Sequence, residues 1–332
     1  MSRKAKVESQ ELQPIQADAP AINRWWIYQK ERFPIFGHGP LIAAFSFSAV
    51  SFSYLLRDGK GLPSAASLVV AFITAFLCFL QLRIADEFKD FEEDSRFRPY
   101  RPVPRGLVSL RELGLVGAAG ALIQLALALW LAPPKISRNI SFGLPVLLLV
   151  LWLYLALMSK EFFIRDWIKA RPFTYMWTHM LILPQIDFYA TACDWMGAGV
   201  PAPSGLFWFL IVSFFNGIVI EIGRKLRAPT DEETGVETYT FLWGRSKAVL
   251  AWLAALALTA FCAWQAARQI HFVIPVLSLL GVLLIVAAFI AWRFLREPVT
   301  QRAKPFELFS GIWTLLMYLS LGAVPLLSRA WK

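Results

Sequence analysis

Nine long apolar runs limit what this chain can fold into more than any other feature of its sequence. Each run is long enough to cross the hydrocarbon core of a bilayer, which is about 30 Å thick and requires about 20 helical residues. The runs cover residues 39–57, 63–85, 107–132, 140–159, 173–193, 205–222, 247–267, 272–292 and 308–328. Of the 332 residues, 57% are hydrophobic and only 17% are charged. The sequence therefore predicts an all-α, polytopic membrane protein with nine transmembrane helices.

The distribution of basic residues predicts how these helices are oriented. If the N-terminus is cytoplasmic, 26 of the 33 lysines and arginines lie on the cytoplasmic side and seven on the opposite side. Short loops rich in lysine and arginine stay in the cytoplasm. We therefore expect a multi-pass protein of a bacterial inner membrane. The net charge of +10 fits this topology and attraction to anionic lipid or substrate, and no basic and aromatic module typical of nucleic-acid binding is visible.

The N-terminal segments and the cysteines carry less information. Residues 1–21 are polar and predict a loosely attached tail without a cleaved signal peptide. Residues 22–34 combine aromatic and basic side chains, which is typical of an amphipathic helix at the membrane interface and equally of an aromatic belt before the first span. Three cysteines lie within or at the ends of apolar runs, and we interpret them as buried packing residues: Cys78, Cys193 and Cys262.

An acidic segment follows the second apolar run. Asp86, Asp90 and Asp94 recur at every fourth residue, so a helix that continued through them would place three carboxylates on one face, about 6 Å apart per step. Such carboxylates repel one another, and oxygen ligands of this kind suit Mg²⁺, which takes one or two carboxylates together with substrate phosphates. The alternative is a solvated acidic helix end. An arginine-rich loop follows, and its guanidinium groups suit either the carboxylates or a phosphate.

These residues resemble the first aspartate-rich motif of the UbiA superfamily of intramembrane prenyltransferases. The resemblance rests on the aspartate spacing and on the segment Arg101-Pro102-Val103-Pro104-Arg105-Gly106, with Ala85 where the family has asparagine. It implies that Asp86, Asp90 and Asp94 are catalytic and hold Mg²⁺ on a prenyl diphosphate. We expect Arg101 to help bind that substrate.

A second motif ends the sixth run and departs from the family pattern. The family has spaced aspartates, then G-x-x-T and a further glycine, and the residues that fit are Asp231, Gly235, Thr238 and Gly244. The resemblance implies that Asp231 is a catalytic metal ligand. Basic residues replace the two earlier aspartates, so they either hold phosphate directly in place of a second Mg²⁺ or are ordinary positive-inside residues. The predicted substrate-binding residues of this segment are Glu221, Arg224, Lys225 and Arg227.

Further candidate residues lie between the two motifs. Lys160 resembles the family's diphosphate-contacting lysine, and Arg165 could assist it, although interfacial anchors would look the same. His179 and Asp187 interrupt the fifth apolar run, where an ionisable residue is a functional candidate. His179 is interpreted either as a helix-contact histidine or as an acceptor-side group. Asp187 is predicted to bind polar substrate, and Asn216 to reach the same cavity as Glu221.

The resemblance covers about residues 25–328 and implies a domain of residues 22–332, with nine helices around a central cavity. The implied activity is Mg²⁺-dependent transfer of a prenyl group from a polyprenyl diphosphate to an aromatic or lipid acceptor within the membrane. One alternative is a terpene cyclase of the same superfamily, in which the substrate's own double bond captures the cation. The other is a transporter, although transporters usually place their sites near the midplane and the acidic segment lies at one face.

Overall fold

The computed structural model describes residues 21–131, 143–233 and 236–330. Within these ranges the chain forms fifteen α-helices, two short 3₁₀ turns and no strand. The helices are α1 (Ala21–Arg32), α2 (Ile35–Leu56), α3 (Ala65–Lys89), α4 (Phe91–Phe97), α5 (Leu110–Leu131), α6 (Leu144–Ser159), α7 (Arg165–Lys169), α8 (Pro172–Met180), α9 (Ile182–Trp195), α10 (Leu206–Gly223), α11 (Tyr239–Trp243), α12 (Arg245–Gln269), α13 (Val273–Arg296), α14 (Thr300–Leu321) and α15 (Ala323–Ala330). Residues 1–20 of the predicted tail and Gly235 of the second motif lie outside the described residues.

The prediction of an all-α membrane protein is confirmed, but the count of nine spans is not. Among the described residues, seven helical segments are long and apolar enough to cross a membrane: α2, α3, α5, α10, α12, α13, and α14 together with α15. The fourth predicted run forms α6, which has only 16 residues. The fifth is divided at Leu181 into α8 and α9. The chain is an integral, multi-pass membrane protein.

Pro184 explains why the fifth run is divided. A proline has no N–H to donate to the carbonyl four residues earlier, and its ring collides with that carbonyl. In this chain the carbonyl belongs to Met180, the last residue of α8. The helix therefore stops there, and Pro184 lies in the first turn of α9, where a proline is tolerated.

Neighbouring long helices pack side by side and close into a ring. In the part of the chain that the structure describes, the order around the ring is α2, α3, α5, α6, α9, α10, α12, α13, α14 and back to α2. Helix α9 also packs on α2 and α3, and α10 also packs on α14. The most apolar stretch of α10 is 67% buried, compared with 22% for α5 and α13. Helices α5 and α13 therefore present apolar side chains outward, as lipid-facing helices do.

The two ends of the ring differ in chemistry. Consecutive helices alternate in direction, so α3, α6 and α10 end on the side where α5, α8 and α12 begin. Both sequence motifs lie on this side, which we call the motif end. At the opposite end, Asp194 accepts hydrogen bonds from Arg57 at 2.7 and 2.9 Å and from Ser53 at 2.7 Å. These bonds join α2 to α9. Most of the predicted site residues lie at the motif end.

Candidate active site

The three aspartates of the first motif keep their spacing although the helix does not run straight through them. Helix α3 ends at Lys89, and α4 begins at Phe91. The backbone N–H of Asp90 still donates to the carbonyl of Asp86 at 2.9 Å, and that of Asp94 donates to the carbonyl of Asp90 at 2.8 Å. The predicted helix is therefore interrupted at Asp90, but the carboxylates remain one turn apart.

Asp86 and Asp90 differ in how far neighbouring cations compensate their charge. Asp86 has Lys89 at 3.4 Å and Arg83 at 3.6 Å, and 40% of its side chain is exposed. Burial raises the pKa of Asp90; the positive charge of Lys89 opposes this shift, and the charges of Asp86 and Asp94 add to it. A bound cation would remove this repulsion.

Asp94 has a different environment from the other two aspartates. It is 1% exposed, and each of its oxygens faces a guanidinium group. Arg101 donates to one oxygen at 2.5 Å, and the Nε of Arg98 lies 3.0 Å from the other. These ion pairs fold the arginine-rich loop back onto α4. Metal binding by Asp94 would therefore require the pairs to open.

A close helix contact determines where α10 ends. A Cβ atom on Gly223 would lie 2.1 Å from the Oγ of Ser310 and 3.0 Å from the carbonyl oxygen of Phe306. Only glycine allows α10 to approach α14 this closely. Because Gly223 is the last residue of α10, the contact also fixes where the following basic residues leave the helix.

Glu221 anchors the two basic residues that follow α10. The Nε of Arg224 donates to Glu221 at 2.6 Å, and the Nζ of Lys225 lies 2.8 Å from its other oxygen. Glu221, and more weakly Asp86, raises the pKa of Arg224 against the opposing effect of burial. The guanidinium therefore lies within electrostatic reach of the first motif. The side chains of Arg224 and Lys225 are 48% and 30% exposed, so a ligand can reach both.

A third group of side chains joins the motif end from the turn after α6. Glu161 is buried and accepts a hydrogen bond from the hydroxyl of Tyr175 at 3.3 Å, with Lys89 at 3.6 Å. The Nε2 of His179 lies 3.3 Å from the other carboxylate oxygen. Burial opposes ionisation of Glu161, but the neighbouring His179 side chain and the charge of Lys89 outweigh it and lower its pKa. The structure thus places His179 beside Glu161.

Several residues of this site were not singled out from the sequence. Arg83 could have been found, because it lies in an apolar run one turn before Asp86. Tyr239, whose ring lies 5.4 Å from the Nζ of Lys225, has no comparable signal. Glu161 has no sequence signal either. Its φ of 50° lies in the left-handed region that residues other than glycine rarely adopt, so its position in the turn after α6 is not expected from the sequence.

Two predicted diphosphate ligands, Lys160 and Arg165, lie outside the group of contacts described above. Lys160 is exposed at the end of α6. Arg165 donates to Glu93 at 3.0 Å, and Lys169 donates to the same oxygen at 2.6 Å. The hydrogen bond from Lys169, and next the charges of Lys169 and Arg165, lower the pKa of Glu93 against burial. These pairs join α7 to α4.

Asp231 and Arg227 make local contacts. Arg227 donates to the carbonyl oxygen of Asp231 at 3.3 Å and to Glu233 at 3.1 Å. The carboxylate of Asp231 accepts from the hydroxyl of Thr300 at 2.7 Å. The contacts of this acidic residue therefore tie the loop after α10 to the start of α14, and its predicted metal role stays a prediction.

Asp187 and Asn216 lie deeper in the helix ring. Both are buried, and Asn216 precedes Glu221 by five residues on α10, which corresponds to about 7.5 Å along the helix axis. Their predicted role in substrate binding also stays a prediction.

The donors at the motif end fit a Mg²⁺ ion that shares its coordination with a ligand. Among the residues described, no three Asp, Glu, His or Cys side chains converge as a complete protein-built metal site. Asp86 and Asp90 nevertheless lie one helical turn apart, and the charge of Asp90 is poorly compensated. Mg²⁺ is commonly bound by one or two carboxylates together with substrate phosphates.

The fold and the site define an integral membrane protein whose helices form a ring with a charged site at one end. The sequence profile of the UbiA prenyltransferase family matches residues 44–324. The chain therefore belongs to the UbiA prenyltransferase family, as the motifs predicted.

Solved structures show the same fold at low sequence identity. A UbiA homologue from Aeropyrum pernix K1 is 14% identical with a TM-score of 0.61, and the match covers 83% of this chain and 96% of that one. Digeranylgeranylglyceryl phosphate synthase is 15% identical with a TM-score of 0.59, covering 93% and 100%. A homologue from Archaeoglobus fulgidus bound to DMAPP and Mg²⁺ is 13% identical with a TM-score of 0.51, covering 89% and 98%. No functionally curated protein sequence matches the chain.

Proposed function

We propose that this protein transfers a prenyl group from a prenyl diphosphate to an aromatic or lipid acceptor within the membrane. The observation that carries the proposal is the gathering of opposite charges at the motif end, where Asp86 on α3 acts electrostatically on Arg224 after α10. Asp90 follows Asp86 by one turn, and Lys225 shares Glu221 with Arg224. Family membership supports it. So do two relatives of the same fold, one described with DMAPP and Mg²⁺ and one described as digeranylgeranylglyceryl phosphate synthase.

Arg224 and Lys225 bind the diphosphate in this proposal. Glu221 holds both cations before any ligand arrives, so little rearrangement is needed when the leaving group gains charge. The planar guanidinium of Arg224 can donate two parallel hydrogen bonds to phosphate oxygens. This arrangement replaces the two aspartates that the family carries in its second motif.

Asp86 and Asp90 would hold Mg²⁺ together with the diphosphate. When bound, the ion would stabilise the negative charge of the leaving diphosphate. Asp94 and Asp231 are further proposed ligands, but both would have to exchange their present partners, Arg98 and Arg101 for the first and Thr300 for the second. We expect these two to contribute less than Asp86 and Asp90.

The remaining steps are cleavage of the donor and capture of the resulting cation by the acceptor, in an apolar environment. The allylic carbon–oxygen bond breaks, and its electron pair leaves with the diphosphate. The acceptor then supplies the electron pair of the new bond and loses a proton, which the released diphosphate can accept. Apolar side chains exclude water, which would otherwise capture the allylic cation. The excess of basic residues at the motif end supports placing this site on the cytoplasmic face of a bacterial inner membrane.

Product formation tests the proposal. Purified protein is incubated with labelled prenyl diphosphates of several chain lengths, Mg²⁺ and an extracted pool of lipids and aromatic compounds. We expect a labelled, lipid-soluble product that depends on Mg²⁺ and is lost in the double variant Asp86→Asn with Asp90→Asn. Absence of both product and diphosphate release at every chain length would refute the proposed function.

A further inference from the structure

Two buried hydrogen-bond donors beside the first motif have no partner within the described chain. One is the hydroxyl of Tyr28 on α1, and the other is the Nε of Arg83 on α3. The contact of Arg83 with Asp86, at 3.6 Å, is an ion pair and is too long for a hydrogen bond. Buried donors without an acceptor are costly. Because Arg83 also acts electrostatically on Tyr28, the two donors lie in one region, and together they point to a ligand that accepts hydrogen bonds.

Helix α1 holds Tyr28 in place before any ligand arrives. Three ion pairs join α1 to three other parts of the motif end: Arg24 with Glu112, Glu31 with Arg105, and Arg32 with Glu87, at 2.5, 2.9 and 2.5 Å. Tyr28 itself is 3% exposed and belongs to an apolar cluster with Ile84 and Leu113. Its hydroxyl can therefore bind a ligand without the cost of ordering a mobile side chain.

Arg83 differs from the neighbouring arginines in its counter-charge. Arg32 and Arg224 both lie within electrostatic reach of Arg83, and each donates a hydrogen bond to a carboxylate of its own. In the described part of the chain, Arg83 has only the longer contact with Asp86. A metal ion bound to Asp86 would take this counter-charge away. The side chain of Arg83 is 29% exposed, so an anion can reach it.

We propose that Arg83 exchanges partners when the donor binds: it pairs with Asp86 in the free protein and, together with Tyr28, binds a phosphate group of the prenyl diphosphate once Mg²⁺ occupies Asp86. This inference rests on the proposed function and adds a coupling between metal binding and diphosphate binding. A phosphate group offers several acceptor oxygens, which suit the forked donors of a guanidinium together with a hydroxyl. Arg224 lies within electrostatic reach of both Asp86 and Arg83, which places the exchange beside the diphosphate site.

Replacing Arg83 by glutamine should change two affinities in opposite directions. Kd values of the purified full-length wild type and variant are measured by calorimetry. For Mg²⁺ alone, we expect the variant to bind about threefold to tenfold more tightly, because a cation that competes for Asp86 has been removed. For dimethylallyl S-thiolodiphosphate, an unreactive analogue of the donor, at saturating Mg²⁺, we expect about tenfold weaker binding, since a charge-assisted hydrogen bond is lost. Inorganic diphosphate should show the same loss, because the inferred contact is to phosphate.

Tyr28→Phe removes only the second donor. It should weaken binding of the donor analogue by about threefold to tenfold, the value of a hydrogen bond between a neutral donor and a charged acceptor. Its Kd for Mg²⁺ should stay within about twofold of wild type, because no charge changes. The midpoint of thermal unfolding should not fall, since the hydroxyl has no partner to lose. An unchanged Kd for the analogue would overturn the role of Tyr28.

Arg111→Gln is the matched control for Arg83→Gln. Arg111 is exposed in the first turn of α5, at the same end of the ring. Removing its charge should change neither Kd by more than about twofold, as expected for a screened surface charge. Effects equal to those of Arg83→Gln would show that only the net charge matters, and they would overturn the exchange.

Two further results would also overturn the exchange. Weaker binding of both Mg²⁺ and the analogue by Arg83→Gln would make Arg83 a structural residue of the site. Unchanged Kd values would make it an ordinary solvated side chain. Opposite shifts in a protein that forms no prenylated product and releases no diphosphate would refute the proposed function alone. Product formation without the opposite shifts would refute the exchange alone.

Discussion

Replacing Arg224 by glutamine should weaken binding of the diphosphate without unfolding the protein. Glu221 would keep Lys225 at 2.8 Å, so no carboxylate is left unpaired. A charge-assisted hydrogen bond contributes about 1.5–3 kcal/mol. Because the side chain of Arg224 is 48% exposed, solvent screening favours the lower value. About 1.5 kcal/mol corresponds to about a tenfold rise in Kd for dimethylallyl S-thiolodiphosphate, an unreactive donor analogue, measured by calorimetry with Mg²⁺.

Arg227→Gln is the matched control for this experiment. It removes the same charge from the same loop, but Arg227 donates to the carbonyl of Asp231 and to Glu233. Its Kd should stay within about twofold of wild type, as expected for a screened surface charge. Equal effects of the two substitutions would show that only the net positive charge matters, and they would refute the specific role of Arg224.

Three further predictions concern the metal, the pH dependence and the topology. Asp90→Asn should lower Mg²⁺-dependent turnover by at least about 100-fold, yet its unfolding midpoint without Mg²⁺ should equal or exceed that of wild type, because burial disfavours the ionised carboxylate. Since the pKa of Asp90 is raised, the contribution of Asp90 to the stability of the metal-free protein should increase as the pH falls through that pKa, while Mg²⁺ affinity decreases over the same range; melts of wild type compared with Asp90→Asn, and Mg²⁺ titrations, check both signs. A cysteine at Ala202 should be labelled from outside intact cells and one at Ser95 should not, and reversed labelling would contradict a cytoplasmic site; both positions are exposed, and the native cysteines are buried.

The helices and the location of the charged site could be predicted because membrane physics constrains them strongly. Every backbone polar group in a bilayer must be paired within its own segment, so a long apolar run becomes a helix. The division of the fifth run was also predictable, since Pro184 is visible in the sequence and cannot donate to Met180. The spacing of Asp86 and Asp90 survived the bend because the helical hydrogen bonds continue through it.

The pairing of individual charges could not be predicted from the sequence. Asp90 and Asp94 have the same side chain and the same spacing, yet only Asp94 is enclosed by two arginines. That difference depends on how the following loop folds back, which is a tertiary contact. Likewise, Arg224 and Arg227 are three residues apart, yet Arg224 bonds to Glu221 on α10 whereas Arg227 bonds to Asp231 and Glu233 in the following loop.

The most direct test of the central claim is a structure of the complex with dimethylallyl S-thiolodiphosphate and Mn²⁺, a substitute for Mg²⁺ that can be located by anomalous scattering. The account predicts a Mn²⁺ peak bound by Asp86 and Asp90, with the diphosphate oxygens contacting Arg224 and Lys225. A diphosphate bound instead by Arg98 and Arg101, with no metal at Asp86 or Asp90, would contradict the assignment of the donor site.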